Sequence, residues 1–487
     1  MQHFWLALVT LLIALLFWKW RRPPNFPPGP WALPIIGNFL QVNLHNPVPD
    51  FNKLAKTYGN IYSIFLGGTP VVILHGFQTV KEVFGNSGLL FADRPPVPVL
   101  QSCTKMKGMI TAPYGREWKE QRRFTLMMFK NFGLGKRSME CRIYEESTYL
   151  VKSFKVKDGC TLDPNLLVYQ AVSNIISSIL FGDRFDYDNA LFAELIGHIK
   201  EINRVLAGVW AELYNTVPFT RKLPLPFRSL LRSAEGLRSY AAKVIEEHRR
   251  TRTPGDTRDF IDGYLEKMEK NSENGSFFNE DNLVAIILDL FVAGTDTTAI
   301  TLRWALLLMM AYPKVQARCY EEIKSVFQTK GKLQYEDRSS MPYTQAVIHE
   351  VQRFGNIAPV AVPHSPLKDT HLFGYTIPKG TRILPDMTSV LYDELEWKHP
   401  NEFYPPHFLN KDGAFVKPEA FLPFSIGPRS CIGEGLTRME LFIFFTELLR
   451  HFEFFWPDKT TSPDLTPVFA ETQSPRHFIV GITHRSD

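Results

Sequence analysis

The sequence predicts a mainly α fold with a smaller β part, gathered into one large domain over residues 31–487. Three observations carry this. Segments with helical periodicity or helical length dominate the middle of the chain, and the longest is apolar on most sides. Strand-like runs punctuated by glycine occur in two places only, near residue 65 and near residue 375. Beyond residue 30 no stretch has linker character, and there is no internal repeat or low-complexity tract.

The elements follow in chain order. Phe4 to Trp18 is an uncharged run rich in Leu and aromatic residues, followed at once by Lys19, Arg21 and Arg22. A cleaved signal peptide carries its basic residues before the apolar run and a small-residue site after it. Here the order is reversed, so residues 1–22 read as a retained signal anchor with the basic flank in the cytosol. The run is shorter than the roughly 20 residues of a full span, and a segment lying in the membrane surface is the alternative. Residues 23–30, with Pro23, Pro24, Pro27, Pro28, Gly29 and Pro30, read as a stiff hinge.

Ile61–Leu66 and Pro70–Leu74, separated by Gly67 and Gly68, predict a β-hairpin. Helices are predicted over Arg116–Lys130, Leu191–Tyr214, Leu230–Arg250, Phe260–Lys270 and Asn282–Ala311, the last ended by Pro313. Thr370–Ile377 and Thr381–Leu384 return to strand, and a final helix runs from about Glu434 to Arg450.

Composition narrows the function classes. Lys plus Arg is 55 and Asp plus Glu is 50, a formal charge of +5, far from the bias of a nucleic-acid binder. The five cysteines are odd in number and lack C-x-x-C spacing, which argues against a disulfide framework or a Cys-rich zinc site and for a reducing compartment. Four of them read as small hydrophobes. The fifth, Cys431, stands in Phe424-Ser-Ile-Gly-Pro-Arg429-Ser-Cys431-Ile-Gly433, a tight turn just before a helix. A cysteine at a helix N-terminus meets N–H donors and the positive dipole end, and both favour the thiolate that binds metal.

This F-x-x-G-x-R-x-C-x-G pattern resembles the haem-binding loop of the cytochrome P-450 family. Four further motifs resemble it in order: Trp118-x-x-x-Arg122, Ala293-Gly294-Thr295-Asp296-Thr297-Thr298, Glu350-x-x-Arg353, and Phe403 to Phe408 containing His407 where the family often has Arg. Gly133 to Ser138 and Phe185 to Tyr187 further resemble the microsomal branch that oxidises xenobiotics, fatty acids and steroids.

The resemblance implies that Cys431 is the axial thiolate of haem b (iron protoporphyrin IX), with Phe424 and Gly433 shaping its loop. It implies that Arg429, Trp118 and Arg122 meet the propionates. Arg94 and His364 match two further propionate contacts, with an ordinary surface or capping role as the alternative. Thr297 would orient a proton network at bound O2 and Asp296 would supply protons. A polar break satisfied by i−4 carbonyls is the alternative, and Gly294 is expected to open the helix locally. Ala293, Leu290 and Ile286 lie four, seven and eleven residues before Thr297 on about one face, as a pocket wall or as plain core. Glu350, Arg353 and His407 would form a structural brace.

The activity implied is a monooxygenase inserting one atom of O2 into a small hydrophobic molecule. A haem-thiolate isomerase or dehydratase acting on peroxides without O2 or reductase is the alternative. No G-x-G-x-x-G lies between a strand and a helix, so electrons must come from another protein. The resemblance implies an NADPH-dependent flavoprotein reductase, with cytochrome b5 as a possible helper. Lys119, Arg123, Lys130, Lys136 and Arg137 form a basic cluster that would dock the reductase, or simply a solvated face. The location implied is the endoplasmic reticulum membrane, with the domain facing the cytosol.

Overall fold

The computed structural model describes residues 4–5, 22–133, 137–156, 159–253, 255–270 and 276–485. The protein is organised on the helix Glu280–Ala311, which begins two residues before the predicted start. Asn279 sets that start: its side chain accepts the N–H of Asn282, and Glu280 and Asp281 occupy the first turn, where the dipole favours acids. Among the described residues this helix alone is long and apolar enough to cross a membrane, yet 78% of its most apolar window lies inside the protein. It is the core helix. Helices Asn165–Leu180, Phe227–Thr251, Pro342–Gly355 and Glu434–His451 pack around it.

Helix ends fall close to the sequence reading at Arg116–Asn131, Phe260–Lys270 and Glu434–His451. The predicted helix Leu191–Tyr214 is instead two, Ala190–Leu206 and Val209–Thr216. Gly208 is the break: its backbone is extended (φ −109°, ψ 174°), and glycine loses most by staying helical. Helices Arg137–Lys155 and Pro313–Lys330 are additional.

The hairpin forms as predicted, with β1 (Ile61–Leu66) and β2 (Thr69–Leu74) antiparallel and Ile61 opposite Leu74. Gly67 turns the chain at φ 59°, a value that favours glycine. β3 is Thr161–Leu162. The run Thr370–Ile377 folds back on itself as β4 (Thr370–Leu372) and β5 (Tyr375–Ile377), because Phe373 and Gly374 both take positive φ. β6 (Arg382–Pro385) joins the first sheet parallel to β2, giving the order β1-β2-β6. β7 (Phe452–Phe455) and β10 (Val480–His484) complete a sheet of order β3-β10-β7, and β8 (Pro467–Val468) pairs with β9 (Ser474–Pro475).

Of the predicted anchor, Phe4 and Trp5 (helical and exposed) and Arg22 are among the described residues; the rest, including Lys19 and Arg21, lies outside them. Residues 22–30 lie along the free edge of β1. Ser63 donates its N–H to Pro28 O (2.6 Å) and its hydroxyl to Pro27 O (2.7 Å). Arg22 Nε donates to Ser63 Oγ at 3.0 Å. A Cβ at Gly29 would stand 1.9 Å from Ser63 O, so only glycine fits this approach.

Candidate active site

The cysteine loop is built by two backbone devices. Gly427 (φ 86°) passes so close to Phe84 that a Cβ would lie 2.0 Å from its carbonyl oxygen. Cys431 then donates its N–H to Phe424 O (3.0 Å), which closes the loop just before Gly433 caps the helix Glu434–His451. Burial, helped by the Glu434 charge, holds the Cys431 thiol above its ordinary value, while the N–H groups of Gly433 and Glu434 and the Arg122 charge oppose it. Cys431 nevertheless keeps open surface. The two facts agree if that surface faces an interior cleft.

Cations gather around this loop. Arg122 Nη2 donates to Ser430 O at 2.7 Å. Arg429 spends its three donor groups on Ala92 O, Met109 O and Ala112 O, and its guanidinium lies 4.1 Å from the Trp118 ring centre. Trp118 Nε1 donates to the same Met109 O (3.0 Å). Arg94 Nε donates to Ile110 O, and its Nη1 donates to Val362 O and Pro363 O. His364 is buried, with Nδ1 2.8 Å from Phe91 O. Burial and Arg94 hold its imidazole well below the ordinary range, hence neutral. Burial and mutual repulsion lower Arg94 well below its usual value, and burial brings Arg429 down to about 10. Among the described residues none of the three arginines is ion-paired to a carboxylate.

Buried cations normally have acids beside them. Asp93 is the acid that acts on Arg94 and Arg429, and it ion-pairs with neither; this excess of guanidinium, next to a cysteine at a helix start, fits a cofactor that brings its own carboxylates and a thiophilic metal. Haem has both. The sequence-predicted Arg94, Trp118, Arg122, His364, Phe424, Arg429, Cys431 and Gly433 are thus brought to one place.

Behind the loop, Glu350 and Arg353 are fully buried and pair through two bonds, 2.8 and 2.7 Å. Arg353 also donates to Leu391 O, Pro400 O and Glu402 O. Glu350 accepts the Tyr404 N–H (2.7 Å) and faces His407 Nδ1 at 3.2 Å. His407 Nε2 accepts the His399 N–H, so the ring proton sits on Nδ1 and points at Glu350. Histidine therefore makes the third contact where arginine is common. With every polar atom engaged, this buried pair escapes the usual desolvation objection.

The central helix shows a different face from the one the sequence suggests. It is unbroken through Gly294. The expected opening is absent because Thr297 Oγ1 donates to Ala293 O (2.8 Å) and Thr301 Oγ1 to Thr297 O (2.8 Å) without displacing the helix. Gly294 serves packing instead: a Cβ there would come within 3.2 Å of Ile176. Ala293 is exposed, and Gly294 and Thr297 are half-buried, in the middle of this otherwise enclosed helix. They mark the face of this helix that the protein leaves unpacked. Leu290 is nearly closed off, and Ile286 is wholly enclosed in the core. Thr298 Oγ1 lies 3.4 Å from Thr437 Oγ1, which ties this stretch to the helix that follows Cys431.

Asp296 does not share the open face. It is buried and accepts from Tyr169 OH (2.6 Å) and Asn203 Nδ2 (2.8 Å). Burial raises its pKa, and Thr472, Tyr169, Lys200 and Arg303 pull it back. Lys200 is lowered to about 8 by burial and Arg303, and its ammonium stands 4.1 Å from the Tyr169 ring centre. Sequence reasoning missed these partners, which come from three separate helices and a C-terminal loop. It also missed Asp289, whose Oδ2 accepts the N–H groups of Met109 (2.6 Å) and Ile110 (3.0 Å). Burial pushes Asp289 up to about 6.

On the cysteine side, a surface groove of about 580 Å³ is lined by Lys119, Arg122, Arg123, Met127, Lys130 and Pro428, among others. It contains three residues of the predicted basic cluster. Arg137 is exposed, and Lys136 lies outside the described residues.

The family model for cytochrome P450 matches residues 27–480. The chain is 45% identical to cytochrome P450 2J2 of Homo sapiens over 92% of its own length and 89% of that protein's. It is 43% identical to cytochrome P450 2J5 of Mus musculus over 92% and 89%. It is 42% identical to cytochrome P450 2D6 of Homo sapiens over 97% and 96%. A thiol at a helix start under unpaired arginines, a buried Glu–Arg brace behind it and this extent of likeness have one common explanation: the chain belongs to the cytochrome P450 family, whose members bind haem b and act as monooxygenases.

Proposed function

We propose that this chain inserts one atom of O2 into a hydrophobic small molecule (a xenobiotic, a fatty acid such as arachidonate, or a steroid), with electrons from NADPH delivered by a separate flavoprotein reductase. The observation that carries the reading is Cys431, whose sulfur meets the N–H groups of Gly433 and Glu434 at a helix start and keeps open surface. Cys431 would hold the haem iron, and Arg94, Trp118, Arg122, His364 and Arg429 would hold its propionates. Haem bound through a thiolate supplies the activation of O2, because the sulfur pushes electron density toward O–O cleavage.

The chain's own residues do the rest. Ala293 and Thr297 present the open helix face to the substrate, with Leu290 and the enclosed Ile286 backing that wall. The Thr297 hydroxyl, parked on Ala293 O, is the polar hydrogen available on that face. Asp296, one residue earlier, would supply protons from its far side, where Tyr169 OH and Asn203 Nδ2 donate to its carboxyl. Glu350, Arg353 and His407 keep the cysteine loop in place.

The groove beside Pro428 is the reductase dock in this reading, with its lysines and arginines set against an acidic partner. Cytochrome b5 would use the same surface. Residues 1–22 would anchor the chain in the endoplasmic reticulum membrane, with residues 23–30 as the hinge and the domain in the cytosol.

The test is the absorption spectrum of the purified, reduced protein with CO, together with NADPH consumption when reductase and substrate are added. A strongly red-shifted Soret band that disappears in Cys431→Ala is expected. An imidazole-like band, or a thiolate band surviving in Cys431→Ala, would remove the reading.

A further inference from the structure

We propose that the interior cleft contains a cation-binding subsite at Glu471, so that the substrates held best carry a quaternary or protonated amine beside an apolar body. This rests on the reading of that cleft as the substrate cleft.

Glu471 lies in the loop between β8 and β9, and the residues after it are pinned to the central helix. Thr472 donates its N–H to Asn203 Oδ1 (2.7 Å), and its side chain bonds Asp296. Gln473 donates its N–H to Ile357 O (2.7 Å) and accepts from Trp304 Nε1 (3.3 Å). The backbone of Glu471 is therefore fixed beside the Asp296 segment, one residue from Thr297.

Its side chain repeats the combination seen at Cys431. It keeps open surface, yet protein surrounds it closely enough that burial raises its carboxyl to about 7. As at Cys431, the two agree if that surface faces the interior. Among the described residues Glu471 has no hydrogen-bond donor and no cation. The charged side chain that acts on it is Asp296, of the same sign. Asp296 itself is served by Tyr169, Asn203, Thr472, Lys200 and Arg303. One acid of the pair is fully satisfied and the other has nothing.

A desolvated carboxylate without a partner is costly unless something completes it. The chain supplies no partner, which leaves the place open to a ligand's cation. A metal ion would need several ligands, and among the described residues the grouping that offers them is His248, Asp259 and Asp262, elsewhere. A single carboxylate facing an apolar cleft suits an organic ammonium. Half-buried Phe469 and Ala470 precede it, and the exposed Ala293 offers surface for the apolar part. Glu471 would then fix which end of a substrate is held in that part of the cleft.

The experiment uses the full-length, haem-loaded protein at pH 8, with 4-phenylbutyltrimethylammonium and 4-phenylbutanesulfonate as probes of like size. Binding is read by equilibrium dialysis. The wild type should hold the cation at least about tenfold more tightly than the sulfonate. Glu471→Gln should weaken the cation by about tenfold and leave the sulfonate unchanged or improved. Equal affinities in the wild type, or an unweakened cation in Glu471→Gln, would overturn the proposal. The wild-type arm stands even if the variant fails to fold. The CO spectrum of the same preparation reports Cys431 separately, so failure of the subsite and failure of the haem-thiolate reading are told apart.

Discussion

Replacing Asp289 tests whether residues 108–112 work as a strap between the central helix and the cationic cluster. The strap is held on both sides. Its N–H groups at Met109 and Ile110 donate to Asp289 Oδ2. Its carbonyls at Met109, Ile110 and Ala112 hold Arg429, Trp118 and Arg94. Asp289→Leu keeps the bulk and removes the acceptor, leaving two buried N–H groups unpaired. At about 1–3 kcal/mol each, the strap should lose about 2–6 kcal/mol of local stability. Asp289→Asn can present an oxygen where Oδ2 stands and should keep the strap.

The carboxyl adds a pH signature. It is held at about 6 in the folded protein against an ordinary 3.8, so the folded state binds the proton more tightly. Stability from this group is then fullest below about pH 4 and falls as pH rises through 6, by about 3 kcal/mol. Asp289→Asn should abolish that slope. Hydrogen exchange of residues 108–112 and the rate of haem loss are the assays, with denaturant unfolding at pH 4.5 and 6.5 for the slope. Exchange in Asp289→Leu as slow as in the wild type would refute the strap.

Three further outcomes follow from the geometry. Thr297→Ala should leave the CO band intact while product formed per NADPH falls by about a hundredfold, within the range of a lost proton-transfer group; unchanged coupling would remove Thr297 from the proton network. Glu350→Gln leaves the Arg353 charge buried and should cost about 3–5 kcal/mol, seen as loss of haem-loaded protein on expression; normal yield would show that the pair is not the brace. Charge reversal of Lys119, Arg123 and Lys130 together should raise the apparent KM for reductase at low salt and blunt its salt dependence, and unchanged kinetics would place the dock elsewhere.

Local signals in the sequence carried far. The hairpin, the central helix and the cysteine turn were legible because each is written within about ten to thirty consecutive residues. So was the cationic cluster, though as a set of separate motifs. What was not legible depends on contacts between distant segments. β3, β7 and β10 are short and meet only after folding. Gly208 splits a helix whose apolar periodicity runs through it. Gly294 was read as a defect in the helix but serves the packing of Ile176. Asp296 was assigned by its place beside Thr297, yet neighbouring helix residues point about 100° apart, and its partners Tyr169 and Asn203 are about 127 and 93 positions away.

The close approach of Gly29 to Ser63 has a practical bearing on how the molecule is cut and tethered. Prolines 23 to 30 have the composition of a leash, but a leash has slack, and this one is fastened at Ser63 of β1 and, through Asn25, at Gly374 and Thr376. Arg22 is therefore held at a fixed point on the body. A shortened form starting after Pro30 would bare the edge groups of Ser63, while Phe65 keeps its pairing with Asn38, and a partly uncovered strand edge invites pairing with another chain. One starting at Arg22 keeps that edge covered.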